Sequence, residues 1–338
     1  MNGNLDIVEW LLKNKIDEIY DRQLRSRHFT KKLLEKLENT RILVPGCGAL
    51  GSAIASMAVR LGIRKLRIVD HDFSQPSNFP RTSSLNLYDS MAGVPKVLWC
   101  KRLLEEVNPE AEVEAVFTEI SPHIVEELLK DIDVVMDGLD NVYTRNIIAY
   151  YAYKSGIPYI YAGVEDVFYQ VIPSIPGVTP CVSCLLPEAK GRQQPIPVFV
   201  MTVFTAASTA LMTLLKLLGD EPPTEMIVGD VFTPSIERVQ LGPPDMCKCK
   251  EPSTKDKIVF TRNGLVKYYP SKLRYIDTGG ARKICSKLEG CTNTIVSDWF
   301  FRIYVHECMA TVYLDGRMEA PIPCDWLLRK LIKLLRLE

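Results

Sequence analysis

The stretch Arg41-Ile-Leu-Val-Pro-Gly-Cys-Gly-Ala-Leu-Gly51, followed by Lys65-Leu-Arg-Ile-Val-Asp70, decides the fold of this 338-residue chain. The first five residues have the apolar, β-branched composition of a buried strand, and the glycines after them open a helix that runs to about Leu61. The second stretch is another strand. A strand–helix–strand unit of this kind places its strands parallel, joined by a right-handed crossover. The sequence therefore predicts an α/β fold with a doubly wound, mostly parallel sheet.

Alternating strands and helices continue this pattern to about residue 241. Strands are predicted at 112–117, 133–138, 158–162, 167–174 and 225–241, and helices at about 5–38, 95–108, 121–130 and 142–155. Composition changes at 242–257, which holds three Pro, four Lys and two Cys. We therefore predict one domain over residues 1–250, with helices at its N-terminus, and a small α/β domain of unknown role over residues 251–338. The second domain has predicted strands at 299–306 and 309–314 and a helix from about Asp325 to Leu337.

Composition and charge exclude several classes of function. The chain carries 41 basic and 41 acidic residues, whereas proteins that bind nucleic acid usually have a basic excess, so we expect no nucleic-acid partner. No apolar run reaches the roughly 18 residues of a membrane span, and residues 198–218 are predicted to form a buried helix, so we expect no membrane association. Ten cysteines without an evident secretion signal indicate a reducing cytoplasm, where disulfides are rare.

Three glycines form a phosphate-binding fingerprint in a Rossmann-like setting. Gly46 permits a tight turn, Gly48 lets a phosphate approach the backbone, and Gly51 lets the helix pack closely. The free amides at the helix start then face the anion. Asp70 lies 19 residues beyond Gly51, at a strand end where a carboxylate accepts hydrogen bonds from a ribose. By itself this pattern fits NAD and ATP equally well.

Charged residues downstream favour ATP. Cleavage of ATP between its α and β phosphates moves negative charge onto pyrophosphate, so fixed cations and a metal ion contribute to catalysis. Arg81 and Lys96 are candidate cations, and Asp140, at a predicted strand end, is a candidate ligand for Mg²⁺. Asp72 and Asn78 are further candidates to contact the nucleotide. Each residue alone has an ordinary interpretation as a solvated side chain or a helix cap, so the hypothesis depends on their occurring together.

The cysteines include two close pairs. Cys181-x-x-Cys184 and Cys247-x-Cys249 are separated by 62 residues, a pattern that predicts a structural Zn²⁺ site with four thiolates. Two buried pairs or one disulfide remain alternatives. Cys47 and Cys100 are predicted to pack in the interior. The other four, which have no spacing typical of metal ligands, are Cys285, Cys291, Cys308 and Cys324.

Six motifs in order resemble one known family. They are Tyr20-Asp-Arg22-Gln23, the glycine loop, Asp70-His-Asp72, Ser77-Asn78 with Arg81, Pro95-Lys96 and Asp140-Asn141. Together they are similar to the ThiF/MoeB superfamily of adenylyltransferases, which includes the ubiquitin-activating enzymes, over residues 17 to 250. The resemblance implies that Asp70 binds the ribose, Arg81 and Lys96 bind phosphates, and Asp140 holds Mg²⁺. In many members Asn stands at the position of Pro80 and Gln at that of Thr82, so hydrogen bonds to the phosphates are expected to differ here.

The resemblance also implies a reaction and partners. The expected activity is adenylation, with ATP, of the C-terminal glycine carboxylate of a small β-grasp protein that ends in Gly-Gly, such as a ubiquitin-like or sulfur-carrier protein. Arg22 is expected to reach into the site of a second protomer, which makes the active form a homodimer. The catalytic set is then Arg22, Arg81, Lys96 and Asp140. An NAD-dependent oxidoreductase and a non-catalytic subunit that binds a carrier protein stay open as alternatives.

Overall fold

The computed structural model of the chain describes residues 18–186, 197–219, 221–247, 257–260, 265–269, 276–277, 280–296, 300–313 and 316–335. The first of two sheets contains β1 (Arg41–Pro45), β2 (Lys65–Asp70), β3 (Glu112–Phe117), β4 (Val134–Met136), β5 (Tyr159–Glu165), β6 (Phe168–Ser174), β7 (Glu225–Asp230) and β8 (Ser235–Gln240). Its helices are α1 (Asp21–Leu24), α2 (Lys31–Asn39), α3 (Ala49–Leu61), α4 (Leu87–Met91), α5 (Lys96–Val107), α6 (Val125–Leu128), α7 (Val142–Lys154), α8 (Val182–Leu185) and α9 (Val200–Leu218).

The strand order of this sheet is β3-β2-β1-β4-β5-β6-β7-β8. The strands from β3 to β5 are parallel to one another, and β6, β7 and β8 continue the sheet in antiparallel fashion. The prediction of a mostly parallel sheet is confirmed. After β1 the chain builds outward to β3 and then returns to place β4 on the other side of β1. A crevice opens at this switch point, outside the carboxyl ends of β1 and β4, where open α/β sheets bind ligands.

The two faces of the sheet pack into separate cores, as expected for a doubly wound fold. Ile42 and Val44 of β1 face one core, which they share with α3, α5 and α9, whereas Leu43 faces the other, which it shares with α6 and α7. This division follows from the strand geometry, because successive side chains point to opposite faces. Both layers of helices are therefore held by the apolar residues of the same short strands.

Among the described residues, α9 is long and apolar enough to cross a membrane by length and composition, which is weak evidence for a span, and 44% of that segment is buried. Val203, Ala207 and Leu214 pack into the first core. The opposite face of the helix leaves Met201, Phe204 and Met212 exposed. The predicted buried helix is thus present, but it is buried along one face only.

The helix predicted at 95–108 begins one residue later than expected. Pro95 is its N-cap, and Lys96 is the first helical residue. The helix predicted at 121–130 is reduced to α6, a single turn. Of the helices predicted in residues 5–38, α1 and α2 are seen, and residues 1–17 lie outside the described part of the chain.

The second sheet contains β9 (Lys257–Phe260), β10 (Leu265–Tyr269), β11 (Cys291–Val296), β12 (Phe300–Val305), β13 (Cys308–Tyr313) and β14 (Met318–Pro321), with α10 (Ala281–Cys285) and α11 (Asp325–Leu334). Its order is β11-β12-β13-β14-β10-β9, and neighbouring strands are antiparallel. The predicted β12, β13 and α11 are present, and the other four strands were not predicted. Residues 248–256 lie outside the described part, so the domain boundary at residue 250 stays a prediction.

The four cysteines of the second sheet region form two disulfides, Cys285–Cys291 and Cys308–Cys324. The first joins the end of α10 to the start of β11, and the second joins β13 to the turn before α11. From the sequence, disulfides were expected to be rare, and these two were not predicted. Their spacing in sequence gave no sign of the pairing, because it depends on how the strands align.

Candidate functional site

A cleft that is open to solvent lies at the switch point between β1 and β4. The structure brings most of the predicted nucleotide-binding residues to its wall. These are Gly46, Gly48, Asp70, Asp72, Asn78, Arg81, Lys96 and Asp140. Gly51 lies beneath the wall, and Arg22 is not among the described residues that form it. Residues separated by up to 94 positions in the chain thus meet at one edge of the sheet.

Close backbone contacts shape the floor of the cleft. Gly46 has φ +89°, and a Cβ at Gly51 would lie 1.8 Å from the Gly46 carbonyl oxygen. Gly138, two residues after β4, is also tightly packed, since a Cβ there would lie 2.4 Å from Gly51 Cα. The loops after β1 and β4 and the start of α3 can approach this closely only without side chains. The third glycine therefore packs against two loops, where the sequence predicted a contact of helix with strand.

The N-terminus of α3 lines the cleft at Gly48, Ala49 and Leu50. Gly48 is the N-cap of this 13-residue helix and provides no side-chain cap, so the first amides after it have no partner within the helix. A Cβ at Gly48 would meet nothing within 4 Å, which shows that the cleft is open beside it. Amides and the positive end of the helix dipole make this point a binding site for an anion.

The buried carboxylate of Asp70 holds the phosphate loop. Its Oδ2 accepts a hydrogen bond from the Cys47 amide at 2.6 Å, and its Oδ1 accepts one from the Asp72 amide at 2.7 Å. Burial and the nearby Asp72 raise the pKa of Asp70, while Lys96 and His71 oppose that rise. Asp70 thus already has a structural function, and the ribose contact predicted for it would add to these two bonds.

Lys96 is largely buried in the cleft wall and is paired with Asp72. Its Nζ lies 2.9 Å from Asp72 Oδ2, and its amide donates to the Asp72 carbonyl at 2.9 Å. Burial disfavours the charged form of Lys96, but Asp72 and Asp70 outweigh it and raise the pKa above its ordinary value. Lys96 is therefore a fixed ammonium ion at neutral pH.

The segment that carries Asn78 and Arg81 is tied to the glycine loop. The side-chain oxygen of Asn78 accepts from the Gln75 amide at 2.8 Å, which closes a single 3₁₀ turn. Two residues beyond Arg81, the Ser83 amide donates to Ser52 Oγ on α3 at 3.1 Å. Arg81 therefore lines the cleft from a segment that is hydrogen-bonded to α3.

An ion pair that the sequence analysis did not predict lies under the cleft. Asp137 is fully buried after β4, and its Oδ2 lies 3.0 Å from Nε of Arg145 on α7. Arg145 also donates to the carbonyl oxygens of Ala162, at 3.0 Å, and of Leu139. Burial raises the pKa of Asp137, and the Arg145 charge opposes that rise. The sequence signal for this ion pair was Arg145 itself, because an arginine within the apolar helix at 142–154 needs a buried counter-charge.

Asp140 follows this ion pair and stands at the rim. Its side chain is exposed and lines the cleft, and the next residue, Asn141, caps α7 by accepting from the Thr144 amide at 2.8 Å. The carbonyl of Leu139, which Arg145 binds, immediately precedes Asp140. The pair of Asp137 and Arg145 therefore fixes the loop from which the Asp140 carboxylate projects.

Arg22 lies away from the cleft. It is on α1, its side chain is 91% exposed, and its Nε lies 3.7 Å from the neighbouring Asp21. Tyr20, two residues earlier, is buried beside the end of α3. Within one protomer the structure does not bring Arg22 to the predicted site.

Three of the four predicted zinc ligands come together. Cys181 and Cys184 have sulfurs 3.4 Å apart, and Cys184 lies 3.7 Å from Cys247. The sulfurs of all three lie within 4.8 Å of one another, so this cluster could bind a metal ion. Cys249 lies outside the described residues. Cys47 and Cys100 are both fully buried, which confirms that they pack in the interior.

The family is decided by a match over most of the chain. Residues 20–251 match the model of the ThiF family. The chain belongs to the ThiF family. The match includes the cleft and the cysteine cluster.

Among curated relatives of this ThiF-family chain, the sulfur carrier protein ThiS adenylyltransferase of Bacillus subtilis (strain 168) is 33% identical over 152 residues, 45% of each protein. Protein HesA of Leptolyngbya boryana is 29% identical over 67% of this chain and 80% of its own length. The adenylyltransferase and sulfurtransferase MOCS3 of Sus scrofa is 28% identical over 70% of this chain and 54% of its own. The matched segment thus spans less than half of the Bacillus protein.

Among solved structures, E. coli MccB with succinimide has a TM-score of 0.60 at 20% identity, over 68% of this chain and 73% of that protein. This likeness shows that the ThiF-family chain and MccB share their fold.

We expect Asp137→Asn to destabilise the protein, because it leaves the Arg145 guanidinium buried without its counter-charge. Loss of one partner of a buried pair costs about 3–5 kcal/mol, whereas an exposed pair contributes about 0–1 kcal/mol. The measurement is the urea midpoint of unfolding for Asp137→Asn and for the double variant Asp137→Asn/Arg145→Met. The control is Arg102→Gln, which breaks the exposed ion pair of Arg102 with Glu106. The double variant is expected to lose less than Asp137→Asn. Equal midpoints for Asp137→Asn and Arg102→Gln would contradict this account.

Proposed function

We propose that this chain uses ATP to adenylate the C-terminal glycine carboxylate of a small β-grasp protein that ends in Gly-Gly, a ubiquitin-like or sulfur-carrier protein. The observation that carries the proposal is the composition of one cleft. Helix amides at Gly48, the cations Arg81 and Lys96, and the carboxylate of Asp140 all face the same space. A dinucleotide's diphosphate needs little beyond the amides, whereas a triphosphate that releases pyrophosphate needs the additional cations.

The chemistry requires alignment and charge, and no general base. A C-terminal carboxyl group has an ordinary pKa of roughly 3.3–3.7 and is ionised at neutral pH. One carboxylate oxygen forms a bond to the α-phosphorus while the bond from that phosphorus to the α–β bridging oxygen breaks. Pyrophosphate leaves with the electron pair, and the product is the acyl-adenylate. Lys96 and Arg81 reduce the repulsion between the two anions and stabilise the charge on the leaving group.

Asp140 is the proposed ligand of Mg²⁺. Its exposed carboxylate beside the cleft fits a hard cation that keeps several waters and binds phosphate oxygens. Asp70, His71 and Asp72 also bring donor atoms within 4.8 Å of one another. However, Asp70 accepts from two amides and Asp72 holds Lys96, so Asp140 is favoured. The bound ion would neutralise charge on the phosphates. Asp70 and Asn78 are proposed to contact the ribose and phosphates.

The homodimer is proposed from the position of Arg22. Its exposed side chain does not reach the cleft of its own protomer, so a catalytic role for it requires a second copy. The exposed apolar side chains Met201, Phe204 and Met212 along α9 support association through an uncovered face.

The cysteine cluster is proposed to bind Zn²⁺ through Cys181, Cys184, Cys247 and Cys249. Three converging sulfurs from two distant segments are the donor set of a structural zinc site. Zinc there would cross-link the segment after β6 to the segment after β8, and its binding would contribute on the order of 10 kcal/mol to the free energy of folding.

The alternatives have less support. Membership of the ThiF family and the two cations Arg81 and Lys96 in the cleft weigh against an NAD-dependent oxidoreductase. The presence of Arg81, Lys96 and Asp140 in one cleft weighs against a non-catalytic subunit.

The cytoplasm is the proposed location because ATP is the proposed co-substrate. The two disulfides weigh against it, since disulfides are rare in reducing compartments.

Arg81→Ala and Asp140→Ala are each expected to lower carrier-dependent exchange of labelled pyrophosphate into ATP by about 100- to 1000-fold, because each removes a charge that acts on the phosphates. Lys101→Ala, at a partly exposed position on the helix that carries Lys96, is the matched control and is expected to exchange normally. Full exchange in both site variants would exclude the proposed reaction.

Cys184→Ser is expected to lose bound zinc and to unfold at a lower temperature, because a hydroxyl is a poor zinc ligand. Metal content is measured by atomic emission on the purified full chain. Ser183→Ala is the control, since it changes one of the two residues between Cys181 and Cys184 and its hydroxyl has no hydrogen-bond partner among the described residues. Equal zinc content in the two variants, or none in the unsubstituted protein, would rule out the site.

A further inference from the structure

The second sheet contacts the back of the nucleotide cleft through a buried ion pair. Arg317 lies at the end of the β13–β14 hairpin, and its Nη1 is 2.9 Å from Oε2 of Glu119. The two side chains are only 7% and 11% exposed, although 198 residues separate them in the chain. The neighbours of Glu119, Thr118 and Ile120, line the cleft. The guanidinium of Arg317 also lies over the ring of Tyr313, 4.7 Å from its centroid.

From Glu119 a line of polar contacts leads to Lys96. Nε2 of His71 lies 3.9 Å from Glu119 Oε2 and 3.4 Å from Asp72 Oδ1. Asp72 in turn holds the Lys96 ammonium at 2.9 Å. His71 borders both the nucleotide cleft and the narrow gap lined by Arg317 and Tyr313. The segment from Asp70 to Asp72 therefore lies between the second sheet and the cleft.

An aromatic contact fixes the same segment one residue further on. The ring of Phe73 meets the ring of Phe300, on β12, edge to face with centroids 5.4 Å apart. It meets the ring of Phe117, at the end of β3, at the same distance. Two independent contacts, one charged and one aromatic, thus join the second sheet to the residues that follow β2 and β3.

A buried ion pair is a poor source of net stability, because desolvation offsets most of the attraction between its charges. The pair does fix the relative position of its two side chains, because either charge is strongly disfavoured in the interior without the other. A contact of this kind directly behind Asp70 and Asp72 constrains where their carboxylates lie. Preorganised charge is what an electrostatic active site requires.

We propose that the C-terminal sheet is a positioning element of the ATP site, and that Arg317 is its central positioning residue. Through Glu119 and the segment from Asp70 to Phe73, Arg317 holds Lys96 and Asp70 in the arrangement that binds the nucleotide. The inference rests on the proposed function in taking ATP as the ligand. Arg317 touches no substrate, so its loss acts on ATP affinity and leaves the chemical step intact once ATP is bound.

The experiment compares Arg317→Met with Arg317→Lys in the full chain. Methionine keeps much of the apolar stem and removes the charge, whereas lysine keeps the charge. The matched control is Arg329→Met, which breaks the exposed pair of Arg329 with Asp325 on α11. The readouts are the Kd of a non-hydrolysable ATP analogue, the KM for ATP and kcat of pyrophosphate exchange, and the temperature of unfolding.

Arg317→Met is expected to raise the Kd and the KM about tenfold, within the usual range of coupling between distant sites, at little change in kcat. Arg317→Lys is expected to recover part of the affinity, and Arg329→Met to bind as the unsubstituted chain does. The charge exchange Arg317→Glu/Glu119→Arg is expected to bind more tightly than either single variant. If Arg317→Met fails to fold, Phe300→Leu tests the aromatic contact without a change of charge and is expected to weaken binding in the same direction.

The outcomes separate the two proposals. A folded Arg317→Met variant with unchanged Kd overturns the positioning role, even if its unfolding temperature falls, because a merely structural contact would behave in that way. If the unsubstituted chain binds the analogue in an Arg317-dependent manner but does not exchange pyrophosphate, the proposed reaction fails and the positioning role stands. If exchange occurs and all Arg317 variants match Arg329→Met, the proposed reaction stands and the positioning role fails.

Discussion

The buried carboxylate of Asp70 is the interaction on which the site depends. One oxygen accepts from the amide of Cys47 in the phosphate loop, and the other accepts from the amide of Asp72. A single side chain thereby fixes the anion-binding end of α3 relative to the residue that holds Lys96. Burial raises the pKa of Asp70, so these bonds and the nearby Lys96 ammonium are what keep a charged group in the interior. Displacement of Asp70 would separate the amides from the cation.

Three ion pairs lie in or next to the wall of the cleft. Asp72 with Lys96 lies in the cleft wall, Asp137 with Arg145 supports the floor, and Glu119 with Arg317 joins the wall to the second sheet. The pairs of Asp137 with Arg145 and of Glu119 with Arg317 remove both charges from water, at a cost that hydrophobic packing would avoid, whereas Asp72 stays half exposed. Their common effect is a set of charges whose positions are fixed before any substrate binds, and such preorganisation provides much of the power of electrostatic catalysis.

Local patterns in the sequence predicted the first sheet and the members of the cleft, because each strand and the glycine loop are marked by residues close together in the chain. The sequence did not predict which of these residues form ion pairs with one another. Lys96 and Asp72 are 24 residues apart, Arg317 and Glu119 are 198 apart, and neither separation has a period or motif. The four strands missed in the second sheet are only four to six residues long, which leaves little room for a periodic pattern, and β11 is largely exposed and lacks the alternation that marks a half-buried strand.

The most direct test of the central claim is a crystal structure of the full chain with Mg²⁺ and a non-hydrolysable ATP analogue. We predict that its triphosphate lies against the amides at the start of α3, with Arg81 and Lys96 on phosphate oxygens and the ribose beside Asp70. A triphosphate bound away from these two cations would contradict the account, as would an analogue bound outside the cleft between β1 and β4.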